Sequence, residues 1–199
     1  MAIKTGTGEI RTEQSKTGAV ASVVIALGVP ALLTLLGLSI MGFGAISWAG
    51  AIVWGVVAAL VMWGFMTMGQ RMGMTHMDLP NLLGSIFAAP GTSMSQGIGL
   101  GIHLTIGALL AISWAYTTAL FAWPATWLSA MVWAMFVSLL AILLISSMMI
   151  FHPKIRAGVP EVSGPAGADL GATTTAIIVV AHLLYGFVLG LMYQIVPLA

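Results

Sequence analysis

Residues 97–151 read GIGLGIHLTIGALLAISWAYTTALFAWPATWLSAMVWAMFVSLLAILLISSMMIF, and this stretch decides the fold. It contains no Asp, Glu, Lys or Arg, and it lies inside a longer uncharged run bounded by Asp78 and Lys154. A helix needs about 20 apolar residues to cross roughly 30 Å of hydrocarbon. The run therefore holds two crossings, 97–119 and 126–151, separated by Phe121-Ala122-Trp123-Pro124. Its apolar positions are continuous instead of alternating with period two, which argues against a barrel of strands.

The same reading extends in both directions. Between Lys16 and Arg71 no residue carries a charge, and this run holds two more spans, 19–41 and 46–68, broken at Gly42-Phe43-Gly44. No charged residue follows Asp169, and 172–196 forms a fifth span. The fold class is thus an all-α, polytopic transmembrane bundle of five spans, one domain over 19–199 preceded by a polar cytoplasmic segment, 1–18. Hydrophobic residues make up 60% of the chain and charged ones 6%, against roughly 25% charged in soluble domains. So few ionised groups cannot cover that apolar surface in water. The first partner implied is the lipid bilayer. A nucleic-acid partner is excluded for want of a basic face, and a disordered chain by the hydrophobicity. With no cysteine, disulfides, thiolate metal sites and cysteine nucleophiles are excluded.

Basic residues orient the spans. Lys4, Arg11 and Lys16, then Arg71, then Lys154 and Arg156 all fall on one side, and the two short turns and the C-terminal tail on the other side hold none. This predicts a multi-pass protein of the inner (cytoplasmic) membrane, with its N-terminus in the cytoplasm and its C-terminus outside. Trp48, Trp123, Trp127 and Tyr193 then fall at the outer interface, where amphipathic rings prefer to sit. The first span is too long for a secretory signal and is read as retained. Pro30 within it is expected to kink the helix or to free a carbonyl that needs a partner.

The loop from Gly69 to Gln96 is the longest interruption. Asp78-Leu79-Pro80 reads as a helix start, with a carboxylate cap and proline in the first turn. The residues that follow are too few to span, so a short helix around 79–89 is expected in the inner interface. Pro153–Gly171, rich in Gly and Pro, reads as an irregular connector.

Two histidines lie within spans, His103 and His182. Gly99, His103 and Gly107 share one helix face, as do His182, Gly186 and Gly190, and small residues at this spacing let helices approach closely in lipid. The glycines are read as helix-packing positions, and each histidine is expected to face a neighbouring helix. Three roles follow from an imidazole at this depth. In the leading one, each neutral ring hydrogen-bonds a hydroxyl (Thr105, Ser113, Thr117, Ser138, Ser146 or Tyr185) or a backbone carbonyl. In the second, His103 and His182 are axial ligands of haem b, the glycines making room for the macrocycle. Counted from Gly97 and Ala172, the rings lie about 9 Å and about 15 Å deep, a mismatch within the uncertainty of helix starts. The third role is a proton or ion pathway.

The stretch Met66, Met68, Met72, Met74, His76 and Met77 combines thioethers with imidazole, a set that suits Cu(I). Met72, Met74, His76 and Met77 are the copper candidates, weighed against methionine as an adaptable filler of helix interfaces. His152, beside Pro153, reads as an ordinary interfacial residue. Gly97-Ile98-Gly99-Leu100-Gly101 lacks the Lys and Ser/Thr of a phosphate loop. All five acids (Glu9, Glu13, Asp78, Glu161 and Asp169) lie outside the spans, which leaves no Ser–His–acid set and weakens a permease reading.

Three motifs carry a family resemblance. They are the Met- and Gly-rich span end leading to Asp78-Leu79-Pro80 and Leu83-Gly84, then Gly99-x3-His103-x3-Gly107, then His182-Leu183-Leu184-Tyr185-Gly186-Phe187-Val188-Leu189-Gly190. In these, Gly55–Tyr193 resembles a family of small prokaryotic four-helix membrane proteins with no assigned activity. The resemblance implies architecture alone, and the span 19–41 is additional to it. The resulting expectation is a non-enzymatic accessory subunit of a larger membrane assembly, a respiratory or other redox complex being one such setting, with other membrane subunits as partners. The alternatives are a haem-b electron carrier using His103 and His182, and a small channel or permease.

Overall fold

The computed structural model describes residues 7–153 and 171–198. Their regular elements are all helical: α1 Thr7–Met41, α2 Trp48–Arg71, α3 Leu79–Gly84, α4 Ser93–Leu120, α5 Trp127–Phe151 and α6 Thr174–Ile195, with a 3-10 turn at Phe43–Ala45. All but α3 are long and apolar enough to cross a bilayer. The chain is a multi-pass membrane helix bundle. Lys4, Lys154, Arg156 and nearly all of the expected connector lie outside the described residues.

Four of the helix starts have a local cause. The side chains of Ser47, Asp78, Thr92 and Thr126 accept from the backbone N–H of Gly50, Asn81, Ser95 and Ser129, filling donors that a helix start leaves open. Thr92 thereby moves the start of α4 ahead of the expected Gly97. α1 is already helical at Thr7, the first described residue and well before the apolar run, because extending a helix nucleated in the span gains one hydrogen bond per residue fixed. It stops at Gly42, whose φ of 80° and ψ of 174° form a conformation that glycine adopts at low steric cost.

Each long helix packs mainly on two others, in the cyclic order α1–α4–α2–α6–α5–α1. Glycine and alanine make the crossings. On α2 and α4, a Cβ at Gly55 would lie 2.7 Å from the Ala111 Cβ, and one at Gly107 2.6 Å from the Ala59 Cβ. On α5 and α6, a Cβ at Gly186 would lie 2.5 Å from the Ala130 carbonyl oxygen, and one at Gly190 2.6 Å from that of Thr126. α2 and α6 are tied at both ends, by Ser47 N–H to the Tyr193 hydroxyl (3.0 Å) and by the Thr75–Thr174 hydroxyl pair (2.8 Å).

α4 and α5, although consecutive, touch only marginally, and α1 packs against both. α1 docks along one seam that includes buried Ala26, Pro30 and Gly37. The helix runs through Pro30 unbroken. The Pro30 carbonyl takes the hydroxyls of Ser113 and Thr34, each at 2.9 Å. Only 17% of the apolar window of α1 is buried, against 39–50% in the other four, so α1 is the peripheral member.

The two ends of the bundle differ. One carries Arg71, Asp78 and α3. The other gathers ring pairs, Phe43–Trp48, Trp48–Tyr116, Trp114–Tyr193 and Phe121–Trp123 among them. α3 is the short helix expected after Asp78, ending at Gly84. Four of its residues, Pro80, Leu82, Leu83 and Gly84, are buried, and it is wedged onto the start of α4. Asn81 Oδ1 accepts from Gly91 N–H (2.8 Å) and from the Ser95 hydroxyl (2.9 Å), while Gln96 donates to the second Asp78 oxygen (2.5 Å).

Candidate functional site

A cavity of about 100 Å³ lies among α2, α4, α5 and α6 and is closed towards α3 by Met77, Leu79 and Leu83. Its walls include Ala59, Met62 and Met66 from α2, His103 and Gly107 from α4, Ile145 and Met148 from α5, and Ile178, His182 and Tyr185 from α6. The structure therefore brings the two span histidines to one cavity. With α4 starting at Ser93 and α6 at Thr174, their depths become about 15 Å and about 12 Å along the helix rise. The mismatch expected from Gly97 and Ala172 shrinks and changes sign.

Each ring is anchored by one nitrogen. His103 Nε2 lies 3.1 Å from the Ala59 carbonyl oxygen, and His182 Nδ1 lies 2.7 Å from that of Ile178. A carbonyl only accepts, so these are the protonated nitrogens. No acid lines the cavity to pair an imidazolium, which favours neutral rings at this depth. The lone pairs then fall on His103 Nδ1 and His182 Nε2, neither of which has a hydrogen-bond partner among the described residues. Both residues are more than nine-tenths buried. The partners are backbone carbonyls instead of hydroxyls. Tyr185 completes the framework by donating its hydroxyl to the Gly107 carbonyl at 2.6 Å, which ties α6 to α4.

A haem does not fit. The cavity, at about 100 Å³, is far below the ~300–1,000 Å³ of pockets for drug-sized ligands. The glycines expected to admit a macrocycle are already filled. Gly99 faces the Pro80 carbonyl, Gly107 the Ala59 methyl, and Gly186 and Gly190 the α5 backbone. His103 also uses Nε2, the nitrogen farther from its own backbone, on Ala59.

The copper candidates are divided. Met77 is buried in the cavity wall, whereas Met72, Met74 and His76 are exposed. In Met77's company are Met62, Met66 and Met148, which the sequence reading did not single out as a set. On α2 a signal existed: Gly55, Ala59, Met62, Met66 and Gly69 follow helical three- and four-residue spacing, and all are buried. Met148 carried no such signal, since only tertiary packing brings α5 there.

His152 is a correction. It is completely buried, with Nε2 at 3.0 Å from the Leu82 carbonyl oxygen and 3.1 Å from the Ser85 hydroxyl. Its ring closes the C-terminal end of α3, where the last carbonyls of a helix lack intrahelical partners. Among the described residues no group of three or more His, Asp or Glu side chains is assembled as a metal site. No family model matches the chain, and no curated protein or solved structure matches it either.

Proposed function

We propose that the protein is a non-catalytic accessory subunit of a larger membrane assembly, held in an inner membrane with its N-terminus on the cytoplasmic side. One observation carries this reading: α4 has a second stripe of small residues, and that stripe faces outward. Gly97, Gly101 and Thr105 are exposed at four-residue spacing, and a Cβ at Gly97 or Gly101 would meet nothing within 4 Å. The parallel stripe on the same helix, Gly99, His103 and Gly107, is covered by α2 and α3. Small residues at this spacing let a second helix backbone approach closely in lipid, where packing drives association. Glycine otherwise weakens an exposed helix by about 1 kcal/mol relative to alanine. The partner is accordingly a transmembrane helix of another membrane subunit. The basic ends of α1 and α2, with Arg11, Lys16 and Arg71, support the orientation.

The test is a Gly101→Leu variant purified from its native membrane in mild detergent. The side chain has room, so the bundle keeps its thermal stability, and any co-purifying subunit is lost. If the wild-type protein returns alone, or Gly101→Leu retains every companion, the reading fails. Labelling of tags at the two termini in intact cells checks the orientation.

A further inference from the structure

We infer that the cavity between α2, α4, α5 and α6 is a binding site for a soft monovalent metal ion, Cu(I), held by the lone-pair nitrogens of His103 and His182 and by thioethers of the surrounding methionines. Four methionines are buried among the described residues, Met62, Met66, Met77 and Met148, and all four line this one cavity. Methionines elsewhere, such as Met68, Met72, Met74 and Met94, are exposed. Thioethers alone would be read as cavity filler. The histidines add the second observation. Each residue is more than nine-tenths buried and lines the same space, gives its N–H to a backbone carbonyl, and makes no hydrogen bond through its other ring nitrogen among the described residues. A carbonyl on one ring nitrogen is the outer-shell arrangement that fixes the tautomer and raises the basicity of a metal-ligating imidazole.

The chemistry of the wall selects the ion. Thioether and imidazole favour Cu(I), while carboxylates, carbonyls and waters suit Mg, Ca and Mn. No carboxylate or thiolate is present to balance a second positive charge, and charge in this environment is costly. A monovalent ion is therefore favoured over Zn²⁺ or Cu²⁺. The volume of about 100 Å³ suits one ion with inward movement of flexible methionines. The site is distinct from the exposed Met72–Met74–His76 segment and shares only Met77 with the copper candidates read from sequence. It does not depend on whether the chain acts within an assembly.

The test uses the full chain in detergent or nanodiscs, titrated anaerobically with Cu(I) in competition with a chromophoric Cu(I) chelator, with Zn²⁺ as the control ion. One equivalent of Cu(I) is expected to be retained, with both nitrogen and sulfur neighbours in X-ray absorption. Met66→Leu/Met148→Leu keeps side-chain volume and is expected to weaken Cu(I) retention about tenfold or more, with little change in thermal stability. His182→Phe provides a second arm that leaves the Ala59 anchor of His103 intact. No Cu(I) retention by folded wild-type protein would overturn the site. So would retention that survives both cavity variants but is abolished by Met72→Leu/Met74→Leu/His76→Ala.

Discussion

Gly84 and Gly99 meet backbone on backbone: a Cβ on Gly99 would lie 1.7 Å from the Pro80 carbonyl oxygen, and one on Gly84 1.7 Å from that of Ser95. This crossing fixes α3 across the start of α4 and thereby closes the α3 end of the cavity. Neither obstacle is a flexible side chain, so even a methyl must push a helix away.

Gly99→Ala and Gly84→Ala are each expected to destabilise the bundle by about 3 kcal/mol, the upper range for overpacking. Gly101→Ala, with nothing within 4 Å of its Cβ position, is the neutral control. Thermal unfolding in detergent, followed by tryptophan fluorescence, separates them. Equal midpoints for Gly99→Ala and Gly101→Ala would contradict the crossing.

His152→Ala removes a buried ring from the Leu82 carbonyl and the Ser85 hydroxyl. The expected cost is about 1–3 kcal/mol, the penalty for leaving buried polar groups short of a partner. The loss is local, so amide exchange should accelerate over 79–88 before it changes in α2 or α6. Unchanged exchange in that segment would return His152 to the interfacial role read from sequence.

Tyr185→Phe deletes the hydroxyl bond to Gly107 while keeping the ring in the cavity wall. Hydrogen bonds between membrane helices average about 0.6 kcal/mol and reach about 1.7 kcal/mol. The 2.6 Å separation and full burial place this one in the upper part of that range. Unfolding in mixed micelles measures the difference, and a stabilised variant would refute the assignment.

The hydroxyls of Thr34 and Ser113 both reach the Pro30 carbonyl, so Thr34→Cys/Ser113→Cys should form a disulfide joining α1 to α4. The natural chain has no cysteine, which makes the readout clean. Adding Gly37→Leu, whose Cβ would fall 2.5 Å from the Tyr116 Cβ, should sharply reduce that cross-link. Undiminished cross-linking would place the α1 seam elsewhere.

The sequence by itself determined the number of spans, the helical class and the start of α3. These depend on local quantities: the length of an uncharged run against the bilayer thickness, and a carboxylate followed by proline. It also pointed to the faces bearing Gly99, Gly107, Gly186 and Gly190, because four-residue spacing is a property of one helix. Which helix fills each face was decided only in three dimensions. Consecutive α4 and α5 are parted, with α1 packed against both, and Met148 joins Met62 and Met66 from a distant part of the chain. His152 looked interfacial because the two residues after it are polar or constrained, yet α3 folds back over it. Hydrophobicity sorts residues between lipid and water and is indifferent to the choice of neighbour. That choice rests on shape, on where one helix lacks a side chain and another carries a methyl or a carbonyl to fill the gap.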